Sequence, residues 1–188
     1  RRPELTAEAK AKFAQARRNR QSNSGTAWWL DAKGEGAGPY DNMEQRPLAE
    51  RCLLGFGPVA GPPMFPALYN NLKRIVQTED SIMILAEMVH DARVIRLNSE
   101  HRADHIRTWL GDSVGHWEGD TLVVETTNFT KQPALYGADE NLQVTERFTR
   151  LDDDSLSYSF VVTDPTVWSE PWGGEYPWPA TDDKVYEY

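Results

Sequence analysis

The sequence predicts a mainly β protein: an antiparallel up-and-down meander closing into a lipocalin-like barrel, with an N-terminal helix and a long irregular arm. Three observations point there. From Lys73 onward the chain is a succession of about eight short runs of strand formers. The runs are joined by hairpin-length links such as "EGD" and "DDDS". Within several runs apolar and polar residues alternate, the period of a half-buried strand. A meander of that length closes into a barrel or folds into a β-sandwich, which is the alternative.

Residues 5 to 20 read as the helix. Thr6 suits the N-cap, Glu8 the first turn, and Ala, Lys and Arg fill the body. Residues 21 to 72 form the arm. Ser, Asn, Gly and Pro recur there ("QSNSG", "GEGAGP", "GPVAGPP"), with a helical turn expected near Leu48 to Leu54. Trp28, Trp29, Phe56, Phe65 and Tyr69 give the arm apolar surface with which to dock on the barrel. The strand runs are "RIVQ", "IMILAEMVH", "ARVIRL", "VGHW", "TLVVETTNF", "NLQVTERFTRL", "LSYSFVVT" and the closing "KVYEY". At 188 residues the whole is one domain, 1–72 as helix and arm packed on a barrel of 73–188.

Composition excludes several functions. An apolar fraction of 39% with 11% aromatics is that of a folded chain. A net charge of −9 disfavours nucleic acid, which needs a basic face to displace phosphate counterions. Arg17, Arg18 and Arg20 cluster without interleaved aromatics, as at a solvated helix end. No apolar run approaches the ~20 residues of a membrane-spanning helix. Oligomeric state is not legible. Cys52 is the single cysteine, and nothing in "ERCLL" would activate it as a nucleophile.

The chemistry is read from glutamates inside strands. In "LSYSFVVT", Leu156, Tyr158, Phe160 and Val162 share one face. The preceding run puts Leu142, Val144, Glu146 and Phe148 on its apolar face. With a turn centred on Asp153, Glu146 lies across from Phe160 and diagonal to Tyr158. Glu87 sits among Met83, Leu85 and Val89 in a run that also carries His90. Glu125 interrupts "LVVETT", where either face can point inward. A carboxylate on an apolar face either raises its pKa, as general acid–base chemistry requires, or pairs with a buried arginine. Arg93, Arg147 and Arg74 are the candidate partners.

The catalytic candidates are therefore Glu146, Glu125 and Glu87, with His90 and Tyr158 as proton relays or oxyanion donors. Convergence of the three glutamates on one cavity is expected. Arg93, Trp117, Asn128, Phe160, Trp168 and Trp172 are candidates for ligand contact. The tryptophans of "DPTVWSEPWGGEYPWPA" either stack on a ligand or plug one end of the barrel. His101 and His105, four residues apart, are weak metal candidates. "GDS" lacks the helix a nucleophile elbow needs after Ser113.

The stretch "GDSVGHWEGDTLVVETTNF", with its flanks "MVHDARVIRL" and "ENLQVTERFTRLDDDSLSYSFVVTDPTVWSEPW", resembles a large family of uncharacterised secreted bacterial proteins. These are recognised by a GDS-x-G-x-WEGDTLVVETTNF signature. The resemblance covers roughly residues 66 to 188. It implies export to the periplasm or beyond, and a second cysteine past Tyr188. Cys52 would then be bridged near Lys184 to Tyr188, clipping the arm to the barrel. The sequence-level hypothesis is an exported enzyme with no organic cofactor. It would act by acid–base chemistry, as lyase, isomerase or hydrolase, on a small, partly apolar organic molecule. The alternatives are a non-catalytic module binding sugars or hydrophobic small molecules, and an accessory subunit.

Overall fold

Side-chain alternation from Lys73 to Thr163 is realised as strands, in a computed structural model that describes residues 2–21, 51, 53–55, 61–66, 69–131, 135 and 137–186. Helix α1 spans Ala7–Gln21. Eight strands follow: β1 Lys73–Gln77, β2 Ser81–Ala86, β3 Ala92–Leu97, β4 Asp112–Glu118, β5 Thr121–Thr127, β6 Gln143–Arg150, β7 Ser155–Thr163 and β8 Trp172–Pro179. They form one sheet in chain order, β1 to β8, curled into a half-barrel. All neighbours are antiparallel except β3 and β4, which run parallel.

The concave face holds the core. It is built from Ile82, Ile84, Ile95, Leu122, Val124, Val144, Phe148, Tyr158, Phe160 and Val162, all buried. Helix α1 starts where expected. Thr6 Oγ1 accepts a bond from Ala9 N at 3.1 Å, an N-cap, and donates to Thr166 O at 2.7 Å. Ala9 is buried in the same core, and Leu5 bridges to Trp168. Met64 and Phe65 of the arm also pack against the concave face. Most of the arm, the turn expected near Leu48 to Leu54 except Arg51, Leu53 and Leu54, Trp28, Trp29, Phe56 and Cys52 lie outside the described residues.

Three local expectations are corrected. The run "SIMILAEMVH" stops being a strand at Ala86 and turns through a 3-10 segment, Met88–His90. Ala86 N bonds Asp91 O at 2.8 Å, closing a reversal that hands the chain straight to β3. The β3–β4 pairing is parallel because residues 98–111 carry the chain back across, as a parallel neighbour requires. "KVYEY" is not the last strand. That place is taken by "WGGEYPWP", which the sequence pattern assigns to a loop.

Glycine and proline explain that exchange. A Cβ on Gly173 would sit 2.2 Å from Phe160 O, so only glycine lets β8 approach β7. Pro177 and Pro179 are tolerated because β8 is an edge strand.

Candidate functional site

Alternation along β6 turns Val144, Glu146 and Phe148 inward, and register sets Glu146 opposite Phe160 with Phe148 opposite Tyr158. Glu146 is 0% exposed and Arg93 of β3 is 3% exposed. Arg93 donates from Nη1 to Glu146 Oε2 at 2.6 Å and from Nη2 to Oε1 at 3.2 Å. Tyr158 donates its hydroxyl to Oε1 at 2.7 Å. The same hydroxyl accepts from Met64 N at 2.8 Å, and Tyr176 donates to Met64 O. A chain of bonds thus runs from the ion pair to the arm and on to β8.

Burial, then the nearby Glu146 charge, holds the Tyr158 phenol well above its usual pKa, against the opposing pull of Arg93. Burial likewise pushes Tyr176 up to about 12, with a hydrogen bond involving Trp178 pulling the other way. Both phenols are therefore donors throughout the neutral range. Two buried opposite charges are tolerated only with this degree of hydrogen bonding. Three donors occupy the two carboxylate oxygens of Glu146, so its arrangement is that of a structural ion pair.

The other expected carboxylates go elsewhere. Val124 is the β5 residue opposite Glu146 on the concave face, so Glu125, next in the chain, points out. Glu125 is exposed on the convex side between Val114 and Thr145. Glu87 lies past the end of β2, where its Oε1 accepts from Tyr186 N at 3.4 Å. His90 is exposed on the 3-10 segment. The three glutamates do not share a cavity, because the period of two and the early end of β2 separate them.

Among the proposed ligand contacts, Phe160 and Trp168 are core residues. Trp172 packs edge-on to Phe160 and to Trp168, and stacks parallel to Phe65 at 6.4 Å. These rings plug the half-barrel beneath α1 and the arm. Trp117 is 45% exposed near the end of β4. Asn128 takes a positive φ of 56° and donates its amide to Arg102 O at 2.9 Å, a structural role. His101 bonds Asp112 through Nδ1 and His105 is exposed; among the described residues no cluster of His, Cys, Asp and Glu is arranged for a metal.

Asp112 is the hub of the β3–β4 crossover. It accepts from Arg96 Nη2, from Arg102 N at 2.9 Å and from His101. Burial pushes its carboxyl upward, but these donors outweigh it and leave the pKa below the usual aspartate value. Gly111, at a φ of 73°, has no room for a Cβ beside Thr126 and Phe129. Ser113 Oγ is 2.8 Å from Thr126 Oγ1 in the core. The long motif around "GDS" and "ETTNF" thus builds the crossover.

A cleft opens where the sheet fails to close. About 740 Å³ lies between the edges of β1 and β8 and the tail beyond β8. Its walls include Lys73 and Ile75 of β1, Leu156 of β7, and Tyr176 and Trp178 of β8. Lys73 Nζ lies 5.4 Å from the centre of the Trp178 ring, which stacks on Tyr158 at 4.7 Å. Burial lowers the Lys73 pKa. The sequence pattern missed Lys73 and Tyr176, and put Trp178, a candidate for ligand stacking or plugging, on a loop instead of a strand. The signal for the two rings was present: Trp172, Tyr176 and Trp178 share parity along one strand. No family model, curated protein or solved structure matches this chain, and the site stands on its own geometry.

Proposed function

We propose that this protein is a binding module for a small, partly apolar organic molecule held in the cleft between β1 and β8. The observation that carries this reading is the cleft itself: about 740 Å³, with aromatic and aliphatic walls that also carry charged residues, Lys73, Arg74, Arg150, Asp153 and Asp183. Small-molecule sites run to roughly 300–1,000 Å³. Tyr176 joins the cleft to the buried Arg93–Glu146 pair, which holds the wall rigid. Rigid walls lower the ordering cost of binding.

Acid–base catalysis at Glu146 has less support. Its oxygens are buried and engaged, whereas a general base must reach the proton it removes. Export rests on the resemblance of the "GDSVGHWEGDTLVVETTNF" stretch to secreted bacterial proteins, and fractionation of cells carrying the complete gene tests it.

The binding test is titration with a panel of ring-bearing phenolics, lactones and glycosides. Amide chemical shifts of β1 and β8 report occupancy and mass spectrometry reports any product. Saturable shifts at Ile75 and Tyr176, abolished by Leu156→Trp, with no product, support the module. Absence of saturable binding across the panel, or conversion of a bound compound, overturns it.

A further inference from the structure

The cleft's electrostatics narrow its ligand. Lys73 is the first residue of β1, and its register opposite Ala86 sets it on the concave side, where it lines the cleft. Its ammonium donates to one neutral acceptor, Asn71 O at 3.2 Å, and faces the Trp178 ring. Among the described residues no carboxylate lies within ion-pairing distance of it; burial alone depresses its pKa. A charge drawn out of water without a counter-ion is costly, and the cost is relieved when an anion arrives.

The surroundings agree. Arg150 lies 3.9 Å from Asp153, so that pair is largely self-neutralised, and Arg74, next in the chain to Lys73, turns its side chain to the convex side. Asp183 is the other acid on the wall. Among the described residues Lys73 is thus the cation of the concave wall with no carboxylate at ion-pairing distance, in a chain whose net charge is −9. An uncharged ring, Trp178, lies beside the ammonium, which favours a ligand whose charge sits beside an apolar body.

Building on the binding function proposed above, we infer that the cleft's ligand is a ring-bearing organic carboxylate. Its carboxylate pairs with Lys73 Nζ, and its ring packs on Trp178 and Tyr176. Trp178 contributes a π-face already fixed by its stack on Tyr158.

Isothermal titration of the full chain with benzoate and 4-hydroxycinnamate, their neutral amides, and acetate separates the possibilities. The carboxylates are expected to bind at least tenfold more tightly than the amides, and acetate not measurably. A bound carboxylate opposes the lowering of the Lys73 pKa by burial, so binding at alkaline pH takes up protons. That uptake appears as a dependence of the apparent enthalpy on buffer ionisation heat. Lys73→Met brings the carboxylates down to the affinity of the amides, and Lys73→Arg retains their advantage. If Lys73→Met does not fold, the proton uptake of the wild-type chain decides. Amides binding as tightly as carboxylates, or acetate binding as well as benzoate, overturns the inference and leaves the binding function standing. Failure of every ring compound overturns both.

Discussion

Arg93 on β3 and Glu146 on β6 meet through hydrogen bonds of 2.6 and 3.2 Å although two whole strands lie between them in the sheet. Strands three steps apart in a flat sheet are about 14 Å apart. Only the curl brings the two concave side chains together, so the pair reports the curvature and helps to hold it.

Breaking this pair from one side is expected to be costly. Arg93→Met or Glu146→Met alone leaves an uncompensated buried charge and should cost about 3–5 kcal/mol. The double variant replaces both charges with apolar volume and should recover most of that. Urea unfolding of the four proteins checks it. A single substitution within about 0.5 kcal/mol of wild type would remove the pair from the structural account.

Tyr158→Phe tests the link to the arm. The hydroxyl bridges Glu146 Oε1 and Met64 N. Its loss strands a buried N–H and should cost about 1–3 kcal/mol. Amide exchange at Met64 should accelerate by more than exchange at Val144, since the arm loses an anchor while the sheet keeps its ladder. Equal acceleration at both positions would argue for general loosening instead.

Glu125→Gln supplies the control for the site assignment. The side chain is exposed on the convex face, away from the Arg93–Glu146 network. Stability should stay within about 0.5 kcal/mol of wild type, and cleft binding should not change. Loss of binding on this substitution would show that the sheet's two faces have been misassigned.

Why some of this was legible and some not follows from particular residues. Glu146, Tyr158 and Phe160 were placed correctly from parity and one hairpin, because period-two alternation survives in β6 and β7. Alternation alone cannot choose between a raised-pKa carboxylate and a paired one. That choice depended on Arg93, 53 residues earlier in the chain. In "LVVETT" three consecutive buried residues, Leu122, Val123 and Val124, erase the alternation, so the face of Glu125 was open. The crossover hinges on Asp112 collecting Arg96, His101 and Arg102, a tertiary arrangement without a local period.

Asp112 should shape the acid limb of stability. Its folded pKa lies below the ordinary aspartate value of 3.8, so the folded state favours the ionised form. Its contribution is complete above the unfolded-state pKa near 4 and is lost as pH falls through the lowered folded value. Asp112→Asn should lose charge-assisted bonds worth about 1.5–3 kcal/mol at pH 7. The gap between wild type and variant should shrink below about pH 4. Urea unfolding from pH 2.5 to 7 measures it, and a gap that stays constant with pH would show that the charge is not what holds the crossover.

The last prediction concerns how β8, and with it the cleft, exists at all. Gly173 and Gly174 both face β7, but their surroundings differ. A Cβ on Gly173 would meet backbone, Phe160 O at 2.2 Å, which cannot move without breaking the β7–β8 ladder. A Cβ on Gly174 would meet ring atoms of Phe160 at 3.0 and 3.1 Å, which yield with a small tilt. Gly174→Ala should therefore cost no more than the about 1–3 kcal/mol typical of overpacking. Gly173→Ala should cost more and peel β8 away from Val161. Tyr176 and Trp178 would go with it, and so would one wall of the cleft. Amide exchange across β8, read beside benzoate titration, separates the two variants. Gly173→Ala should lose protection from Trp172 through Trp178 together with benzoate binding, while Gly174→Ala keeps both. If both variants retain β8 protection, the close approach at Gly173 is not what selects glycine there.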